Sequence, residues 1–145
     1  DGVWIIFEID GGGEWRELFR RATTVHDATP SPDGLSIAFA ERLNGRYVIT
    51  EWNRQNKNMQ VILSGPEDYR YPAYDPAGGW LAFATNKSGN WDVGRFSFND
   101  RNIELLTASA SNDLMPVYSA DGKLIYFASD RRRGYRYTAI YMIAL

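Results

Sequence analysis

The sequence predicts an all-β chain forming part of a β-propeller of four-stranded antiparallel blades, and three observations carry that prediction. Gly34, Gly78 and Gly122 stand 44 residues apart, and the same interval links Phe39, Phe83 and Phe127, then Ile37, Leu81 and Ile125, then Leu18, Ile62 and Leu106. A fixed period of about 40–50 residues is the mark of propeller blades. Aromatic residues make up 14% of the 145 residues and thirteen glycines accompany them, a mixture that favours strands and tight turns. No segment shows convincing 3.6-residue periodicity, so no helix is predicted.

The elements follow in order. Residues 3–9 read as the third strand of a blade and 15–19 as the fourth, joined by the flexible Gly11-Gly12-Gly13. Neither a Lys-Ser/Thr pair nor a helix follows these glycines, so they are not a phosphate loop. Pro30-Ser31-Pro32-Asp33-Gly34, Tyr74-Asp75-Pro76-Ala77-Gly78 and Tyr118-Ser119-Ala120-Asp121-Gly122 are turns. In them Pro presets φ, Asp bonds its own backbone and Gly takes the positive φ. Behind each lies a short apolar run, 35–40, 80–84 and 124–128, too short for a helix and suited to a buried strand. Asn44-Gly45, Ser88-Gly89 and Arg133-Gly134 mark a second hairpin in every copy. Third strands are predicted over 46–52, 91–98 and 135–143, and fourth strands over 59–63 and 102–107.

Residues 1–145 therefore read as one partial propeller, with blade parts in 1–20 and repeats at 27–63, 71–107 and 115–145. That is about 3.3 repeats, half of a six-bladed ring. An open arc leaves apolar blade faces and unpaired edges in water, which soluble proteins avoid. Either the chain is a fragment of a longer one or copies assemble to complete the ring. A homodimer with six blades is the simplest such assembly.

Residues 112–131, NDLMPVYSADGKLIYFASDR, closely resemble the WD40-like (PD40) repeat of TolB-type β-propellers. So do Ser31-Pro32-Asp33-Gly34 followed by Ile37-Ala38-Phe39, and the hairpin Asn86-Lys87-Ser88-Gly89-Asn90-Trp91-Asp92-Val93. Two positions depart from the pattern: Ala77 replaces the usual turn Asp, and Pro30 stands where an aromatic is common. The resemblance implies a ring of six or seven blades, often exported to the periplasm or attached to larger enzymes and surface proteins. It implies no single activity. Trp91-Asp92 is not the eukaryotic WD dipeptide, because it opens a third strand rather than closing one.

Composition narrows the chemistry. The chain has no Cys and one His, which removes thiol catalysis, Cys-based zinc sites and disulfides. A net charge of −2 speaks against nucleic acid as the main partner, and no apolar run is long enough to span a membrane. No cofactor and no metal are expected. Asp33 and Asp121 recur because the hairpin wants them, whereas calcium takes six to eight oxygen ligands.

Function is expected on one rim, where residues 20–28, 64–71 and 108–115 lead into the inner strands beside the second hairpins. These loops hold His26, Asp27, Glu67, Asp68, Tyr69, Arg70, Asn112 and Asp113. A protein or peptide contact is expected here, anchored by Tyr69 and Arg70, whose residue types dominate interface energetics. The alternative is that they are solvated residues capping the inner strands. Arg131, Arg132, Arg133 and Arg136 form the strongest charge cluster, suited to an acidic partner, a carboxylated sugar or a phosphate, with Tyr135 and Tyr137 for stacking. A solvated hairpin turn explains the same charges. His26-Asp27 as a catalytic pair lacks a nucleophile or metal in demonstrable reach. The expectation is a non-enzymatic module binding a protein partner, with an accessory domain of a peptidase or polysaccharide-degrading enzyme, or a glycan binder, as alternatives.

Overall fold

The structure is a computed structural model that describes residues 2–132 and 138–145, in which every regular element is a strand. β1 (Trp4–Ile9) and β2 (Trp15–Arg21) pair as a two-stranded sheet. β3 (Val25–Pro30), β4 (Ser36–Leu43), β5 (Arg46–Asn53) and β6 (Met59–Leu63) form a complete antiparallel blade in chain order. β7 (Tyr69–Tyr74), β8 (Trp80–Thr85), β9 (Asp92–Ser97) and β10 (Ile103–Leu105) form the next. β11 (Asp113–Tyr118), β12 (Leu124–Ser129) and β13 (Ala139–Ala144) give a three-stranded sheet.

The repeated turns close as their residues require. Gly34, Gly78 and Gly122 all carry φ between 71° and 75°. In the first and third of these turns Ser31 and Ser119 accept the N–H of Ser36 and Leu124, while Asp33 and Asp121 accept those of Leu35 and Lys123. Ala77 cannot do the Asp's part. Asp75, at the serine position, takes the serine's role and adds a bond of its own: Oδ1 accepts from Trp80 N–H at 2.6 Å and Oδ2 from Ala77 N–H at 3.1 Å.

Three apolar clusters fill the spaces between successive sheets. Phe19, Val25, Phe39 and Trp52 seal the first junction. Ala38, Ile49, Leu63, Tyr69, Leu81, Phe83 and Phe96 seal the second, and Ala82, Val93, Ile125 and Phe127 the third. Strands β4 and β8 lie between neighbouring sheets, so both faces are buried and the runs read as continuous rather than alternating. Each repeating Phe packs toward the preceding sheet, and the Ala before it in β4 and β8 leaves room for the following one. The end sheets lack such neighbours: Ile5, Phe7, Ile9 and Trp15 are exposed on the first, and Val117, Tyr126, Ile140 and Met142 on the last.

Two expectations change. The inner strands begin at Val25, Tyr69 and Asp113, because these residues pair with Glu41, Thr85 and Ser129. Thus His26, Asp27, Tyr69, Arg70 and Asp113 stand on strands rather than in the loops before them. The six-bladed homodimer finds no support in the strand count. Thirteen strands are present among the described residues, and two copies bring twenty-six where six blades of four take twenty-four.

Candidate interaction surface at the inner-strand bulges

Each inner strand breaks register with its neighbour at the same place: between His26 and Thr29, Arg70 and Ala73, and Leu114 and Val117. At each break one non-glycine residue has a positive φ, 56° at Asp27, 55° at Tyr71 and 55° at Met115. These positions are again 44 apart. A left-handed conformation costs an L-residue about 1–2 kcal/mol, so the strain is a property of the repeat. A bulge re-aims side chains and twists the strand, which also blunts the free inner edge against pairing with another chain.

At the junction of the two complete blades, the bulges bring charge and aromatic rings together. The Arg70 guanidinium donates to Asp27 Oδ2 from Nε at 3.1 Å and reaches it from Nη2 at 3.0 Å. It also lies over the rings of Tyr47, at 5.0 Å, and Tyr71, at 4.5 Å. The His26 ring is 5.7 Å from Trp4 and 5.8 Å from Tyr47. Trp4, His26, Tyr47, Arg70 and Tyr71 therefore make one continuous row from β1 to β7. At the corresponding positions of β11 the residues are Leu114 and Met115, so the rim is polar at one junction and apolar at the next.

Hydrogen bonds hold the adjoining loops rigid. Asp68 N–H donates to the Asn86 side chain at 2.8 Å, and the Asn86 amide returns a bond to Asp68 Oδ2 at 3.0 Å. One repeat later the residue types are exchanged and the bonds remain, with Asn112 donating twice to Asp130, both at 2.8 Å. Asp68 and Asn112 also accept the N–H of Tyr47 and Trp91 from the preceding blade. Glu41, buried nearby, accepts from Arg21, Thr23 and Thr50. Burial works to raise its carboxyl, but these hydrogen bonds and the Arg21 charge outweigh it and hold Glu41 below the usual carboxylate range.

The predicted site residues divide. His26, Asp27 and Arg70 meet at the rim, although Asp27 serves Arg70 and not His26. Asp68 belongs to the loop clamp. Tyr69 is not a contact residue: it is 5% exposed, its ring packs on Phe83, and its hydroxyl donates to Glu67. Burial, with the Glu67 carboxylate beside it, pushes that hydroxyl far above the ordinary tyrosine value. Asp113 is fully buried and accepts from Arg131 Nη2 at 2.7 Å. Arg131 also stacks over Phe127 and Tyr141, so its charge is engaged within the blade. Arg132 is exposed, and Arg133, Tyr135, Arg136 and Tyr137 lie outside the described residues. Sequence reasoning missed Trp4, Tyr47 and Tyr71. The aromatic spacing of Tyr47, Trp91 and Tyr135, again 44, was the available signal for one of them.

No family profile matches the chain, and no curated protein matches it in sequence. Solved structures do match in shape. TolB from Acinetobacter baumannii aligns with a TM-score of 0.79 at 24% identity, over 94% of this chain and 34% of that one. A putative TolB from Agrobacterium tumefaciens aligns at 0.78 and 18% identity, over 99% of this chain and 57% of that one. The tricorn protease aligns at 0.66 and 17% identity, over 92% of this chain and 15% of that one. The chain thus spans 34% and 57% of the two TolB structures, and its fold is that of a TolB-like β-propeller.

Proposed function

We propose that this TolB-like propeller is a non-enzymatic module that binds a polypeptide partner through the bulge-lined rim, with Trp4, His26, Tyr47, Arg70 and Tyr71 as the contact surface. The observation that carries this reading is the row of aromatic rings and Arg70 gathered at one bulge junction, where the next has Leu114 and Met115. Holding a tyrosine at φ 55° costs stability and is retained where a side chain must be aimed. The residues so gathered are Trp, Tyr and Arg, the types that anchor interfaces, set on rigid strands with clamped loops. The Asp27 carboxylate is given to Arg70, so nothing in its geometry favours the His26-Asp27 pair, which the sequence already disfavours as catalytic. The likeness to TolB structures also supports a periplasmic location, testable by recovery of the protein in the osmotic-shock fraction.

The test is selection of displayed peptides on the chain followed by calorimetry. Arg70→Ala and Tyr71→Ala should each weaken the selected peptides about 30-fold, the effect of an interface hot spot. Lys123→Ala, on the opposite rim, should bind as the parent does. Peptides that bind the Arg70 and Tyr71 variants with unchanged affinity would remove the proposed surface.

A further inference from the structure

The rim opposite the bulges carries the turns between the first and second strands. Between the two complete blades, these turns bound a cleft of about 470 Å³. Tyr74, at the end of β7, and Phe98, just after β9, form one wall, their rings nearly parallel at 11° and 5.8 Å apart. Asp33 and Glu51 face the same space. The Tyr74 hydroxyl donates to Glu51 Oε1 at 2.5 Å, which orients the carboxylate and leaves Oε2 without a partner among the described residues. Asp33 uses Oδ1 for both Ser31 and the Leu35 N–H. Among the described residues neither carboxylate is paired with a Lys or Arg.

The repeat separates this cleft from what the fold requires. One blade on, Glu51 is matched by Arg95, Asp33 by Ala77 and Phe98 by Leu145, whose N–H bonds Lys123 as that of Phe98 bonds Gly79. The blade therefore accepts the opposite charge at the Glu51 position, whereas Asp33 also serves its own turn. Burial and the neighbouring Glu51 carboxylate push the Tyr74 hydroxyl far above its ordinary value, so it remains a donor.

We propose that this cleft binds a cationic side chain, lysine or arginine, presented by a partner polypeptide. The charged head sits at Glu51 and Asp33, and its apolar stem lies against Tyr74 and Phe98. Aromatic rings beside carboxylates suit such a group, because the cation gains from the rings and from the charges while its methylenes cover apolar surface. The site is separate from the bulge-lined rim and does not depend on that reading.

The test titrates the isotope-labelled chain with acetyl-Gly-Arg-Gly-amide and acetyl-Gly-Lys-Gly-amide, with acetyl-Gly-Glu-Gly-amide as the control, and follows amide shifts by NMR. At least one cationic peptide should give saturable shifts at residues 31–36, 51, 74–78 and 98. Glu51→Gln keeps an acceptor for Tyr74 and should weaken binding at least tenfold with little change in thermal stability. Arg70→Ala should leave it unaltered. Absence of saturable shifts with both cationic peptides, equal shifts with the acidic one, or unchanged binding in Glu51→Gln would each overturn the proposal.

Discussion

Gly94 lies in the middle of β9, at a point where two opposing effects of a methyl group can be weighed. A Cβ there would stand 2.9 and 3.0 Å from Cζ and Cε2 of Phe83, and 3.0 Å from the Glu104 carbonyl oxygen. Carbon atoms are most favourably spaced at about 3.5–4.0 Å, so these contacts fall well inside the repulsive range. Phe83 is fully buried in the central cluster and Glu104 is held by its pairing with Arg95, so neither neighbour moves freely. Gly94 has no positive φ, so Ala suits its backbone and gains about 0.4–1 kcal/mol by restricting the unfolded chain. Overpacking costs about 1–3 kcal/mol, and the clash wins. Gly94→Ala should therefore destabilise by about 1–2 kcal/mol and lower Tm by about 3–8 °C, at the slope expected for a domain of this size. Thermal unfolding by circular dichroism or calorimetry reads this directly. Combined with Phe83→Leu, the two changes should couple by at least about 0.5 kcal/mol, since the ring is the main obstacle. A Tm equal to or above that of the parent, or strictly additive effects, would refute the packing argument.

The remaining predictions concern stability elsewhere in the blades. Phe83→Ala should cost about 3–5 kcal/mol by denaturant unfolding, and an unchanged midpoint would show that the repeating Phe is not core. Glu41→Gln should cost about 2–3 kcal/mol at pH 7, below the usual loss for breaking a buried pair because Arg21 is partly exposed. Glu41 is held below its ordinary value, so its contribution is present above the unfolded Glu value of about 4.3 and fades as pH falls through the folded one. The gap between parent and variant should accordingly narrow toward pH 3; a constant gap in urea midpoints would rule Glu41 out as the source. Asp75→Ala should cost about 1–2 kcal/mol and Asp33→Ala clearly less, because Ser31 shares the work in its turn and Ala77 cannot. Equal losses would contradict that division.

Much of the blade was legible because its signals are local. The Pro, Asp and Gly of each turn act on their own backbone, and a short apolar run between two turns has few ways to be buried. The substitution of Ala77 was visible, whereas its compensation by Asp75 required the turn's hydrogen bonds. The rim was legible in part. His26, Asp27 and Arg70 followed from where an inner strand begins. Tyr69 and Asp113 did not, because the side a strand residue faces depends on the position of the bulge that follows it. Trp4, Tyr47 and Tyr71 come from three different sheets, and no spacing along the chain states that their side chains meet.

By itself, then, the sequence determined the period, the turns and the identity of the core, since each rests on backbone preferences and on hydrophobic pattern within one repeat. Only the tertiary structure decided which polar residues are spent internally and which stand free. Asp113 and Arg131 neutralise each other within a blade, whereas Asp33 and Glu51 meet no cation among the described residues. That difference arises from packing within and between blades, which brings together groups apart in sequence and sets the partners each charge can reach.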